Sequence, residues 1–237
     1  MNDIDLKSLA SKNGIKISEE KIGLLEKFIR LFTEKNNIIN LTKINSGKEF
    51  LIKHILDSLF VDKLVKIRPS QKVADIGTGG GLPGLPMAIM NPESYFTLID
   101  SVQKKIKCVN EFASQLNLKN TTGLSGRLED IGRDKKYREN FDIVLARALA
   151  SLPVLLELAI PLIKKGGVFV AMKGPKYEDE LKSALNAEKF LKMSAPEIIK
   201  YDLPDEMGTR FLLIYRKENQ TPNMYPRRTG VPEKSPL

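Results

Sequence analysis

Cysteine occurs once in the 237 residues, at Cys108, and no stretch approaches the roughly 18 consecutive apolar residues that a membrane-spanning helix needs. A single cysteine closes no internal disulfide and builds no cysteine-rich metal site. The N-terminus, Met1-Asn2-Asp3-Ile4-Asp5, lacks the basic-then-apolar order of a secretion signal. Internal repeats and low-complexity segments are also missing. These absences set the expectation of a cytoplasmic chain with no membrane contact, no bound metal and no need for a second copy.

What is present is enough for a large core. Hydrophobic residues make up 42% and charged residues 28%, which excludes global disorder and fits one large domain. The net charge is +9, a balance that attracts polyanions. It is spread evenly, with +4 in residues 1–70, +3 in 71–216 and +2 in 217–237. Lysines outnumber arginines 28 to 10. Charge alone therefore leaves both an anionic macromolecular partner and a solvated lysine surface open.

Three stretches differ in character. Residues 1–70 read as a helical extension. Ser18 can cap a helix to about Lys35, on which Ile22, Leu25, Phe28, Ile29 and Phe32 recur at helical spacing. Asn36 to Lys43 reads as a polar connector, Glu49 to Val65 as a second apolar helix, and Arg68-Pro69-Ser70 as a break. Residues 71–217 alternate strands and helices. Strands are expected at Lys72–Ile76, Tyr95–Asp100, Thr121–Leu124, Phe141–Leu145 and Gly167–Met172, with helices from near Pro83, over 102–116 and over Leu152–Ile163. Such alternation implies an α/β fold with a parallel sheet covered on both faces. Ile198–Tyr201 and Arg210–Tyr215 stand too close together for a crossover helix and should pair antiparallel, which makes the sheet mixed. Residues 218–237 form a tail spaced by Pro222, Pro226, Pro232 and Pro236. Composition alone makes it a spacer, whereas Tyr225 as an anchor favours docking of Tyr225–Arg228 with mobile final residues.

The strongest local signal is Asp75-Ile76-Gly77-Thr78-Gly79-Gly80-Gly81-Leu82-Pro83-Gly84. Glycines let a backbone take positive φ and let a ligand approach closely. Here they lie between the first strand and a helix, where open α/β sheets bind ligands. Asp100 ends the second strand about 20 residues further on, where a carboxylate accepts both ribose hydroxyls of an adenosine. That much fits NAD(P) and S-adenosylmethionine equally. Asp75, two residues ahead of Gly77, is placed to face an ammonium group, and the antiparallel strand pair also favours the methyl donor.

With these residues the chain resembles the small-subunit (16S) ribosomal RNA guanine-N7 methyltransferases, the glucose-inhibited division protein B family. The likeness runs through Asn40-Leu41-Thr42-Lys43-Ile44, His54-Ile55-Leu56-Asp57-Ser58-Leu59, Asp75 to Gly84, Leu98-Ile99-Asp100-Ser101 and Arg147-Ala148. It closes on Tyr225 to Leu237. The resemblance implies a Rossmann-like fold that uses S-adenosylmethionine, with a small-subunit ribosomal RNA or ribosomal subunit as partner. It implies donor contacts from Gly77, Gly79, Leu82, Asp100, Leu128, Glu129 and Arg147, with Leu128 and Glu129 at the adenine. Leu82 stands where phenylalanine is common, and Leu128 is bulkier than the usual alanine.

No residue is expected to act as a base, because guanine N7 carries an in-plane lone pair and no proton. Arg147, His54 and Lys173 are the candidates for positioning substrate, and Lys43, Arg210, Arg227 and Arg228 for holding RNA. Each has a plainer reading. Arg147 can pair with an acid such as Glu129, His54 with Asp57 at i, i+3, and Lys173 can simply be solvated. Cys108 lies on an apolar helix face and reads as core. An RNA- or ribosome-binding protein with a vestigial donor pocket, and an NAD(P)-dependent oxidoreductase, are the competing functions.

Overall fold

The computed structural model describes residues 5–44 and 47–237. Of the N-terminal stretch read for a signal, Met1 to Ile4 lie outside them. Seven strands form one sheet: β1 (Lys72–Ile76), β2 (Tyr95–Asp100), β3 (Thr121–Ser125), β4 (Phe141–Arg147), β5 (Ile163–Lys173), β6 (Glu197–Asp202) and β7 (Thr209–Arg216). Their order is β3-β2-β1-β4-β5-β7-β6. The first five are parallel, and β7 lies antiparallel between β5 and β6. The expected antiparallel pair is therefore present, wedged so that its second strand touches the parallel set.

Alternation along the strands sorts the core into two layers. On β1, Val73 points to one face and Ala74 and Ile76 to the other. The first face is covered by α1 (Leu6–Lys12), α2 (Glu19–Ile39), α4 (Asp57–Val65), α5 (Gly84–Met90) and α6 (Gln103–Gln115). Phe28 and Phe32 of α2 are fully buried, and Phe28 meets Phe112 of α6 edge to face at 5.8 Å. Cys108 is buried in this layer. The second face is covered by α7 (Leu128–Ile131), α8 (Leu152–Ala159) and α9 (Tyr177–Leu191).

Several boundaries differ from expectation. Ser18 caps α2 as read, but the helix continues through Asn36–Ile39, the residues expected to start the connector. Asn36 is buried there and its amide bonds both N–H and C=O of Thr42, so a tertiary contact outweighs its weak helix propensity. The second helix begins as α3 (Gly47–Phe50) and widens into a π-helical turn over Leu51–Leu56 before α4. Pro83 caps α5 rather than opening its first turn, after a cis Leu82–Pro83 bond. The sequence reading passed over α1, α7 and α9. The tail is held throughout: Tyr225 and Pro232 are buried, and α10 (Val231–Lys234) turns near the end of a segment expected to be mobile.

Candidate active site

β1 leads into a turn whose glycines sit at φ +70° (Gly77), +57° (Gly79) and +94° (Gly81), conformations that other residues adopt at a cost. Asp75 closes this turn from beneath. Its Oδ2 accepts from Thr78 Oγ1 at 2.7 Å and from Gly84 N at 2.9 Å. A Cβ on Gly84 would lie 2.0 Å from Leu98 and 2.8 Å from that oxygen, so only glycine fits. Burial pushes the Asp75 carboxyl up to about 6. Asp75 was expected to face an ammonium group; one oxygen instead fastens the turn, and the other is buried without a partner among the described residues.

Asp100, at the end of β2, accepts from Gly79 N at 3.0 Å and from Val102 N at 2.9 Å. An ionised carboxylate has about four lone-pair sites, so both oxygens keep capacity for further donors. Asp100 opens onto a cavity of about 220 Å³ walled also by Gly77, Leu128, Glu129, Leu149 and Leu158. That is below the roughly 300 Å³ at which drug-sized pockets begin, a size for part of a ligand rather than all of it. A Cβ on Gly79 would meet nothing within 4 Å, so the turn leaves open space beside Asp100. Leu82, expected here, is buried instead in the layer beneath α2. It precedes the helix on the inward side of the turn, and its side chain serves the core.

A second cavity, about 430 Å³, lies on the other side of the loop after β4. His54, Asp57, Arg147, Lys173, Glu180 and Arg210 are among its walls. Ala150 lines both cavities, and Leu149 lies against Gly77, where a Cβ would come within 2.6 Å of it. The loop thus forms the partition. Ala148 within it adopts φ +51°, a strained choice for a residue with a Cβ.

The polar groups of the second cavity are fixed by partners from distant elements. Arg147 Nη1 donates to Asp57 Oδ2 and to Lys53 O, both at 3.3 Å. Its other nitrogens make no hydrogen bond among the described residues. Asp57 is 2% exposed and takes a second bond from Tyr201 Oη at 2.7 Å. Burial and the Asp57 charge raise the Tyr201 hydroxyl above its ordinary range, so it stays a donor. His54 Nε2 lies 3.0 Å from Thr42 Oγ1. Burial, reinforced by the Arg147 charge, pushes its pKa down to about 3.

The model of the rRNA small subunit methyltransferase G family matches residues 21–205. The chain belongs to that family. It is 40% identical over 232 residues to the ribosomal RNA small subunit methyltransferase G of Carboxydothermus hydrogenoformans, with 98% of each chain covered. To that of Desulforamulus reducens it is 40% identical, with 100% of each covered. Among solved structures it resembles a putative S-adenosyl-L-methionine-dependent methyltransferase of Methanococcus maripaludis (TM-score 0.55, 15% identity, 86% of this chain and 96% of that one). It also resembles TYW2 of P. horikoshii in complex with MeSAdo (TM-score 0.55, 16% identity, 73% and 64% covered). At these identities the structures carry the fold alone, and they agree on a Rossmann-like methyltransferase architecture.

Within this chain, the expected site residues divide between the two cavities or leave both. Gly77, Asp100, Leu128 and Glu129 wall the first, with Gly79 bonded to Asp100. Arg147, read as touching donor as well as substrate, lines only the second; it pairs with Asp57 rather than Glu129. His54 and Asp57 do not bond each other, because Asp57 turns to Arg147 and Tyr201 where the π-helical turn ends. Lys173 lines the second cavity, but its ammonium is held by Glu180 at 2.6 Å and Ala150 O at 3.1 Å, not solvated. Arg210 lines the same cavity, and Lys43 is exposed beside it in sequence terms, on the connector carrying Thr42 and Ile44.

Arg227 is a correction to the expected RNA contacts. Its Nε and Nη2 grip the carboxylate of Glu157, which is fully buried, at 2.6 to 3.1 Å. That fork is spent inside the protein; Arg228 is exposed. Sequence reasoning gave no role to Thr42, Tyr201, Glu180 and Leu149; Tyr201 and Leu149 stand far along the chain from Asp57 and Gly77, and Glu180 is seven residues from Lys173. Of the loop after β4, only Arg147-Ala148 had been singled out in the sequence.

Proposed function

We propose that this chain transfers a methyl group from S-adenosylmethionine to N7 of a guanine in small-subunit (16S) ribosomal RNA. Its family membership supports the class of reaction. The observation that carries the residue-level reading is the pair of cavities that meet at Ala150. The first offers a ribose acceptor, Asp100, beside a backbone left open at Gly79. The second offers the unspent part of a guanidinium.

The donor, when bound, supplies an electrophilic sulfonium methyl. Asp100 would hold its ribose, Gly77 and Gly79 would let it approach the turn, and Leu128 and Glu129 would flank its adenine. Arg147 donates from its free nitrogens to guanine O6 or to a phosphate, a geometry suited to its planar fork. Asp57 and Lys53 O hold that fork in place. Ala150 lines both sites, so the donor methyl and guanine N7 would meet beside it. Guanine N7 needs no base, and none is offered: His54 stays neutral and buried down to about pH 3, so it positions rather than accepts protons. Orientation then supplies most of the acceleration.

Lys43, Arg210 and Arg228 are the cations free to meet RNA phosphates in this reading. With it goes a cytoplasmic enzyme that works as a single chain, since one copy lines both cavities. Purified protein incubated with S-adenosylmethionine and small-subunit RNA should yield 7-methylguanine at one nucleotide by mass mapping. Methylation at another atom, or none, would refute the proposal.

A further inference from the structure

The closing segment, Tyr225 to Leu237, is a signature that the two-cavity reading leaves without a role, yet the structure anchors it heavily. Arg227 clamps Glu157 of α8. Arg133 Nε donates to Pro226 O at 2.9 Å, and Arg138 Nη1 to Tyr225 O at 2.7 Å. Thr229 Oγ1 donates to Asp130 Oδ1 at 3.1 Å, and Gly230 N to Glu129 Oε1 at 2.9 Å. These bonds carry the strap across α7 and bring Pro232 and Glu233 into the wall of the first cavity.

Three carboxylates wall that cavity: Asp100, Glu129 and Glu233. Asp100 is the ribose acceptor. Glu129 already accepts the Gly230 N–H on Oε1 and has Arg127 Nη2 at 3.8 Å. Glu233 makes no hydrogen bond or ion pair among the described residues. On the reading above, the adenine of a nucleoside held at Asp100 would lie between Leu128 and Glu129, and therefore next to the strap bonded to Glu129 and Asp130. Adenine brings an exocyclic amine, a pure donor, to that end. A carboxylate can only accept.

We propose that the C-terminal strap is part of the donor site, with Pro232 covering the adenine and Glu233 accepting a hydrogen bond from its exocyclic amine. The proposal rests on reading the first cavity as the donor site. It makes the strap a specificity element: the carboxylate welcomes an amine and repels the carbonyl oxygen that hypoxanthine carries in its place.

Calorimetry on the full chain with S-adenosylhomocysteine and S-inosylhomocysteine tests this. The wild type should prefer the adenosyl compound by roughly tenfold, as expected where a hydrogen bond to a charged acceptor is lost. Glu233→Gln should weaken the adenosyl compound by about tenfold and largely erase the preference, because an amide can also donate. Truncation after Gly230, which keeps the Arg227 and Gly230 anchors, should weaken both compounds. Wild-type affinity and preference in Glu233→Gln, with unchanged binding by the truncated chain, would overturn the proposal. If the wild type binds neither compound, the donor reading itself falls and this inference falls with it.

Discussion

The two cavities are built by different means. The first is made of backbone: a turn of glycines at positive φ, N–H groups aimed at Asp100, and Asp75 fastening the turn from below. The second is made of long side chains brought together from remote segments, with Arg147 held by Asp57 across 90 residues and Asp57 held by Tyr201 across 144. A backbone cradle tolerates few substitutions at its glycines, and the side chains it adds act singly. A side-chain network depends on every member, since removing one leaves the others buried and unpaired.

That contrast is broken most severely at Asp57. Asp57→Ala leaves the Arg147 charge and the Tyr201 hydroxyl without a partner in a site where Asp57 is 2% exposed. Loss of about 3–5 kcal/mol of stability is expected, read as a lower urea midpoint, together with loss of methyl transfer. A change below about 1 kcal/mol would mean that the network is loose. Next in size, Asp100→Ala should weaken S-adenosylhomocysteine binding by roughly 1.5–3 kcal/mol, the scale of hydrogen bonds to a charged group. RNA affinity should not change. Equal donor affinity in calorimetry would remove Asp100 from the site.

The elements divide along the same line as the cavities in how far the sequence revealed them. β1 and β2 were legible to the residue as short, largely apolar runs. The glycine turn and Asp100 were legible because their meaning lies in local spacing. α9 was not, although Tyr177, Leu181, Ala184, Ala187 and Leu191 pack it on the second layer, because charged residues interrupt them. Asn36–Ile39 looked like a connector because the contact that keeps Asn36 helical runs to Thr42, outside the helix. Arg147 was found, but its partner was misread, because an ion pair between remote residues leaves no spacing to follow. The Arg227 fork had the same problem: sequence shows a cation and not the buried Glu157 it serves.

A smaller effect sharpens the comparison through pH. His54, with its pKa pushed down to about 3, stays neutral when folded, while the unfolded chain takes a proton near the ordinary 6.5. Stability from this group is therefore complete above about pH 6.5 and is lost as pH falls toward 3. Asp75 acts in the opposite sense: raised to about 6 by burial, it favours the folded state in acid, and that advantage disappears as pH rises from about 3.8 through 6. Replacing His54 with Asn should shrink the stability gap to wild type by about 1–2 kcal/mol between pH 6.5 and 5. A pH-independent gap in paired denaturation curves would show that His54 takes its proton as readily in the folded protein as in the unfolded chain.

The smallest expected effect lies on the strap. Arg228→Ala should lower the salt slope of RNA binding by about one unit, whereas Arg227→Ala should leave the slope alone and reduce thermal stability. The reverse pattern would place the Arg227 fork on RNA after all.

The most direct test of a division of labour between a backbone-built donor site and a side-chain-built acceptor site is Arg147→Lys. This change keeps the charge and removes the fork. The account expects the turnover of RNA methylation to fall by roughly ten- to a hundredfold, the scale of a lost bidentate contact, with S-adenosylhomocysteine affinity unchanged. A parallel loss of donor affinity would place Arg147 in the first cavity and contradict the account.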